Sequence, residues 1–283
     1  MLRDVDAFTR DGLTFDVRDH VPAEPAPGAP VAVLLHGFPQ DGWAYDEVAA
    51  LLAARGVRGL APDQRGYSPG ARPAGRAASA VPELVADVLS LVDAAGVDRA
   101  HLVGHDWGGS VAWAFAHRHP RRTASLTVLG TPHPAAIRHG LRRGGQALRS
   151  AYVLAFQVPR LPELALLRRD GGGLRRALTR SGLEPARADR YVARMREPGA
   201  LAAALGWYRA LPTGRGDTTG TVRVPTTYLT GRRDPFFAPA SVAATRRHVD
   251  APFTHRDLDA DHWLPEHRAG DVAAAVLAHV AAG

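Results

Sequence analysis

The sequence predicts an α/β protein: a mostly parallel central sheet with helices on both faces, interrupted once by an inserted helical cap. Three observations lead there. Short apolar, β-branched runs alternate with helical patterns along most of the 283 residues, as expected of a parallel sheet wrapped by crossover helices. The alternation stops between His133 and Gly220, where the pattern is helical only. Charge balance changes over the same stretch, which holds 16 Arg against 6 Asp and Glu, while the remainder holds 19 Arg against 22. The predicted division is a core of 1–132 and 221–283 and a helical cap of 133–220.

Taken in order, Gly12–Asp19 alternates as a half-exposed strand does, and Val31–Leu35 reads as a buried one. The Pro22–Pro30 stretch between them is a loop. Buried strands are expected at Val57–Ala61, His101–Val103, Ser125–Leu129, Thr226–Thr230 and Phe253–Leu258. Helices are expected at Tyr45–Arg55, Pro82–Ala95, Gly109–His117, Pro239–His248 and Gly270–Val280. Pro159, Pro162, the Gly171–Gly173 run and Pro198 break the helical insert.

Composition excludes several chemistries. There is no cysteine, so disulfides, thiolate nucleophiles and cysteine-bound metal centres are out. Every basic residue is arginine, which removes P-loop, kinase and Schiff-base lysines. The net charge of +7 comes with no nucleic-acid motif and no basic run of five, so no nucleic-acid partner is expected. The N-terminal residues lack a secretory pattern, and no apolar run approaches the ~18 residues of a membrane span. A cytoplasmic protein without a membrane partner is the expectation. The histidines at 117, 119, 133 and 139 carry no accompanying acidic cluster, and no metal is expected.

Four short segments carry the chemistry. Gly104-His105-Asp106-Trp107-Gly108 follows one strand and opens a helix. A side chain presented on so sharp a turn needs tiny neighbours two residues to either side, and Gly104 and Gly108 stand there. This is the pattern of a nucleophile elbow with aspartate in the place of serine. His36-Gly37-Phe38-Pro39 follows Val31–Leu35 and can offer the Phe38 N–H to an oxyanion, beside the N–H of Trp107. Asp234 follows the strand Thr226–Thr230, and His262 follows Phe253–Leu258. All lie beyond strand C-terminal ends, where open α/β sheets hold their sites.

With these segments in the order Asp106, Asp234, His262, the chain resembles the α/β-hydrolase superfamily from about Gly12 onward. The α/β-hydrolase fold is therefore expected. Within it, HGFP, GHDWGG, Asp63–Pro73 and the late Asp261-His262-Trp263 are similar to the branch of epoxide hydrolases and haloalkane dehalogenases. The Asp63–Pro73 loop is expected to shape the rim of the site. Tyr152-Val153-Leu154-Ala155-Phe156-Gln157-Val158-Pro159 resembles the first epoxide hydrolase cap segment. Gly206-Trp207-Tyr208-Arg209 resembles the second, with glycine where asparagine is usual. The resemblance implies that Tyr152 and Tyr208 hold the epoxide oxygen, with Trp107, Phe156, Trp207 and Leu154 lining the substrate site. Val158 and Leu211 are further wall candidates. His36, Gly37, Pro39, Gly104 and Gly108 are expected to be structural, with His36 orienting the oxyanion loop.

A carboxylate suits displacement at an sp3 carbon, where it forms an alkyl ester. The expected reaction is attack of Asp106 on an epoxide, followed by ester hydrolysis by water that His262, oriented by Asp234, deprotonates. The partner is a small-molecule epoxide, no cofactor is needed, and the enzyme is a monomer or homodimer. Dehalogenases with the same triad are the alternative. They fit less well: position 38 is Phe, the chain contains no asparagine, and no arginine follows Asp106 among Trp107, Gly108, Gly109 and Ser110. A biosynthetic epoxide-opening enzyme and a ligand receptor are further alternatives.

Overall fold

Asp11 and Gly12 both take positive φ, 49° and 75°, and turn the chain between β1 (Ala7–Arg10) and β2 (Leu13–His20). A two-residue Asp-Gly loop of this kind matches the twist of a hairpin. β2 is the expected half-exposed strand. β1 was not anticipated: it has four residues and buries one large side chain, Phe8, which stacks on Phe15 at 4.5 Å. The structure is a computed structural model in which residues 4–24, 26, 28–213 and 220–283 are described. Part of the expected Pro22–Pro30 loop, and the last residues of the insert before Gly220, lie outside the described residues.

The remaining strands are β3 (Val31–Leu35), β4 (Arg58–Pro62), β5 (Ala100–His105), β6 (Thr123–Leu129), β7 (Thr226–Gly231) and β8 (Phe253–Leu258). Their order is β1-β2-β4-β3-β5-β6-β7-β8. β1 and β2 are antiparallel, and every pairing from β4 to β8 is parallel. β3, β4, β5 and β7 are buried throughout, as strands covered on both faces must be. Phe253–Leu258 departs from expectation. It is the outermost strand, and its central residues Thr254, His255, Arg256 and Asp257 are exposed. Polar and charged side chains there blunt an open sheet edge.

Helices alternate with the strands: α1 (Asp46–Ala53), α2 (Val81–Ala94) and α3 (Trp107–Arg118) precede the insert. Between β6 and β7 come α4 (Pro134–Arg143), α5 (Gln146–Arg149), α6 (Ala151–Phe156), α7 (Leu161–Arg180), α8 (Pro185–Met195), α9 (Ala200–Ala204) and α10 (Gly206–Ala210). α11 (Pro239–Ala244), α12 (Leu264–His267) and α13 (Ala269–Ala282) complete the chain. Within α7 the backbone leaves helical geometry from Arg168 to Gly171, at the start of the glycine run read as a break.

The charge asymmetry has a structural counterpart. Arg187, Arg190 and Arg194 of the insert pair with Glu47, Asp41 and Asp63 of the sheet-bearing part. In return Arg72 reaches Glu197. The loop after β4 is the bracket. Arg65 is buried against Asp87, with two contacts of 2.7 Å, and its carbonyl accepts the Trp207 indole N–H at 2.8 Å. Gly66, at φ 94°, approaches the Ala203 carbonyl so closely that a Cβ would sit 2.9 Å from its oxygen. The basic excess of the insert is thus spent partly on holding it to the sheet.

Candidate active site

Asp106 stands between β5 and α3 with φ 51° and ψ −118°, a conformation that L side chains rarely adopt. Such a backbone costs on the order of 1–3 kcal/mol and persists only where its surroundings enforce it. The glycines two residues away make the turn possible. A Cβ on Gly108 would run into the Leu35 carbonyl, and one on Gly104 would run into the Gly108 carbonyl and lie 2.8 Å from Ala112 Cβ. β3 is fully buried and cannot yield, so Gly108→Ala is expected to cost about 3 kcal/mol or more. The denaturant midpoint of the variant checks this.

The loop after β3 closes over Asp106 from the other side. A Cβ on Gly37 would lie 2.6 Å from Asp106 Oδ1, so only glycine fits there. The Phe38 N–H donates to that same oxygen at 2.9 Å. The Trp107 N–H supports the carboxylate as well. His36 holds the loop from within. Its Nε2 accepts the Gln64 N–H at 3.1 Å, so its Nδ1 carries the proton and donates to the Gly37 carbonyl at 2.9 Å. Burial keeps His36 neutral by lowering its pKa. Pro39 follows in a cis Phe38-Pro39 bond.

His262 follows β8 and lies beside Asp106. Its Nδ1 is 2.8 Å from Asp234 Oδ2 and its Nε2 is 4.0 Å from Asp106 Oδ2. Asp234, in the turn after β7, is fixed by accepting the Phe236 N–H at 2.7 Å. The Phe236 ring meets the imidazole edge-on at 4.5 Å. Burial disfavours the charged form of His262, yet the Asp234 and Asp106 carboxylates outweigh it and raise its pKa. Burial raises the pKa of Asp106, against the pull of His262 and the two N–H donors.

Above Asp106 the insert contributes aromatic side chains. Tyr152 on α6 and Tyr208 on α10 have ring centroids 6.0 Å apart, with the rings edge to face. Burial raises the pKa of both, and the Asp106 charge adds to it, so both stay protonated. Phe156 packs 5.0 Å from Tyr208 and 5.9 Å from Phe38, and Trp107 packs 5.0 Å from Tyr208. Arg209 ties this face together. Its guanidinium bonds Glu163 at 2.7 and 3.0 Å and the Phe156 carbonyl at 3.0 Å. Gly206 abuts Ser79, whose Oγ would be 2.7 Å from a Cβ there.

Not every anticipated wall residue lies at the site. Leu154 is 74% exposed, on the outer side of α6, and so is not a lining residue. Val158 and Leu211 are likewise exposed, at 44% and 50%. Trp207 is fully buried between Tyr67 and Trp107, 4.9 and 5.9 Å away, and packs behind the site. The sequence reading missed Phe236, Gln40 and Glu266. Only Gln40, directly after HGFP, carried a positional signal. His117 and His133 are engaged with the carbonyls of Thr221 and Gly220. No group of three or more His, Asp or Glu among the described residues is arranged to hold a metal ion.

A carboxylate bonded by the Phe38 N–H next to that of Trp107, a His–Asp pair beside it and two phenols above it can support displacement at carbon followed by hydrolysis of the ester. Comparison with known proteins identifies the family. The sequence profile described as alpha/beta hydrolase fold matches residues 30–269. Epoxide hydrolase A of Mycobacterium tuberculosis is 32% identical, over 93% of this chain and 94% of its own. The AB hydrolase superfamily protein YfhM of Bacillus subtilis is 33% identical, over 87% and 88%. In fold, the chain is similar to an epoxide hydrolase of Bacillus megaterium solved with an inhibitor, with a TM-score of 0.84 over 97% of this chain and 99% of that one at 21% identity. With the profile spanning most of the chain and near full-length relatives above 30% identity, this chain is a hydrolase of the α/β-hydrolase fold family and belongs to its epoxide hydrolase branch.

Proposed function

We propose that this enzyme converts a small-molecule epoxide to a vicinal diol through an alkyl ester on Asp106. The observation that carries the reading is the placement of the Asp106 carboxylate beside the Phe38 and Trp107 N–H groups and below two tyrosines whose rings lie 6.0 Å apart. The segment 133–220 serves as the cap over a core of 1–132 and 221–283, and it supplies both tyrosines. The protein acts in the cytoplasm as a monomer or homodimer.

In the first step Asp106 Oδ2 attacks an epoxide carbon while Oδ1 stays with the Phe38 N–H. The C–O bond of the ring breaks, and the oxygen takes a proton from Tyr152 or Tyr208. The carboxylate charge raises both tyrosine pKa values in the resting enzyme. Forming the ester consumes that charge, so the phenols become better acids as the alkoxide develops.

In the second step His262 removes a proton from water, and the hydroxide attacks Cγ of Asp106. The oxyanion forms at Oδ1, against the Phe38 and Trp107 N–H groups. A donor so placed is worth on the order of 10²-fold or more. The Cγ–Oδ2 bond breaks, and Oδ2 leaves with the diol, taking the proton of the hydroxyl that water brought to Cγ, so that Asp106 returns as a carboxylate. The proton on His262 returns through solvent to the tyrosinate. The 4.0 Å gap between Nε2 and Oδ2 is too long for a hydrogen bond and leaves His262 free to act on water.

The test is diol formation from a panel of aryl and alkyl epoxides, with halide release from matched haloalkanes as the competing outcome. Halide release without diol formation would replace this reading by dehalogenation. The combined Tyr152→Phe and Tyr208→Phe variant should slow alkylation by on the order of 10²–10⁴-fold. Rapid-mixing measurement of ester formation checks it. Full epoxide activity in that variant would remove the tyrosines from the mechanism.

A further inference from the structure

Behind Asp106 and His262 lies a buried chain of polar groups with no part in the two steps above. His105 directly precedes Asp106 and is fully buried. Its Nδ1 is 2.8 Å from Gln40 Oε1, its Nε2 is 2.8 Å from the His262 carbonyl oxygen, and its ring centroid is 4.5 Å from that of His262. Gln40 Oε1 also accepts the Gly37 N–H at 2.9 Å. Gln40 Nε2 donates to Glu266 Oε1 at 2.8 Å, and the Tyr191 hydroxyl donates to the same oxygen at 2.8 Å.

The contacts of Gln40 and His105 fix donors and acceptors at that end of the chain. The Gly37 N–H can only donate, so the Gln40 atom it meets is the oxygen. His105 therefore faces two oxygen acceptors. A neutral imidazole has one N–H, and its other nitrogen would press a lone pair against an oxygen at 2.8 Å. At the far end, Glu266 Oε1 receives two donors, as a carboxylate does. A proton on Oε2 would have no acceptor among the described residues. A proton on Oε1 would deprive the Tyr191 hydroxyl of its one acceptor there. Burial acts the other way, raising Glu266 and lowering His105 toward their neutral forms. Glu266 Oε2 has no partner among the described residues in either form, so the mismatch that decides lies at His105, where neutrality would press a buried lone pair against an oxygen at a cost.

We propose that Glu266, acting through the Gln40 amide, holds His105 as an imidazolium, and that this fixed charge keeps His262 unprotonated for the hydrolytic step. The inference rests on the ester mechanism above. The acids Asp234 and Asp106 favour protonated His262, which cannot take a proton from water. A cation in ring contact opposes them. The other titratable groups facing the pair are His36, Tyr45 and Tyr191. His36 is neutral by its bond from the Gln64 N–H, and burial holds both tyrosines in their hydroxyl forms. Glu266 and His105 are positioning residues here, since neither touches the reacting atoms.

The experiment is ¹⁵N NMR of the histidine-labelled enzyme, with His105 assigned by its loss in His105→Gln. Both ring nitrogens should show imidazolium shifts, unchanged between about pH 6 and about pH 9. One protonated and one bare nitrogen would overturn the inference, and this readout needs no turnover. In Glu266→Gln, His105 should lose a proton and the His262 pKa should rise. The acid limb of ester hydrolysis should then move up by roughly one pH unit, with alkylation unchanged. An unmoved limb would contradict the inference, as would equal slowing of both steps at every pH. Adding Gln40→Glu to Glu266→Gln returns a carboxylate to His105 and should restore the limb. Failure of that rescue in a folded double variant would assign Glu266 to structure alone.

Discussion

Asp106→Ala is expected to abolish epoxide turnover, with kcat/KM falling by at least about 10⁴-fold and no covalent adduct forming. The whole of the first step depends on that carboxylate, and no neighbour can stand in for it. Asp234 is engaged by His262 Nδ1 and the Phe236 N–H. The turn itself should survive. Thr131 Oγ1 bonds the Asp106 carbonyl at 2.7 Å, and the flanking glycine contacts are unaffected. Alanine at φ 51° adds strain, but the variant also sheds a buried carboxylate that its surroundings hold at a cost. The measurement is steady-state turnover together with intact-protein mass spectrometry. Residual activity within tenfold of the parent would show that water, not Asp106, attacks the epoxide.

His262→Ala should separate the two steps. Alkylation should proceed to one equivalent and stall, and the Asp106 peptide should gain the mass of the epoxide. Steady-state turnover should fall by on the order of 10³-fold or more, because the oxyanion donors remain while the base is gone. In the parent enzyme the same residue sets the acid limb. The raised pKa of His262 means that its neutral form disappears as pH falls through that value, so hydrolysis is lost in that direction. Ester formation consumes the Asp106 charge, one of the causes of that raised value, so the limb of the isolated hydrolytic step should lie below that of the free enzyme. Single-turnover rates of ester formation and decay across pH distinguish the two.

The site was legible because its demands are local. The Asp106 turn needs glycine at 104 and 108, the loop beside it needs glycine at 37, and each contact explains the residue found. The order of Asp106, Asp234 and His262 follows from strand ends, which the apolar runs mark. The illegible parts depend on distant chain segments. Nothing in Phe253–Leu258 states that it is the outermost strand, because sheet order is set by other strands. α6 has six residues, too few for periodicity to tell which side faces inward, so Leu154 could not be separated from Tyr152 and Phe156. Gln40 and Glu266 are 226 residues apart and meet only because α12 returns beneath the loop after β3.

One turnover in H₂¹⁸O, with enzyme in excess over styrene oxide, tests the ester route most directly. Water attacks Cγ of Asp106 in this account, so the heavy oxygen should appear in the Asp106 peptide and the first diol should be unlabelled. Label in the diol, with none in the peptide, would contradict it.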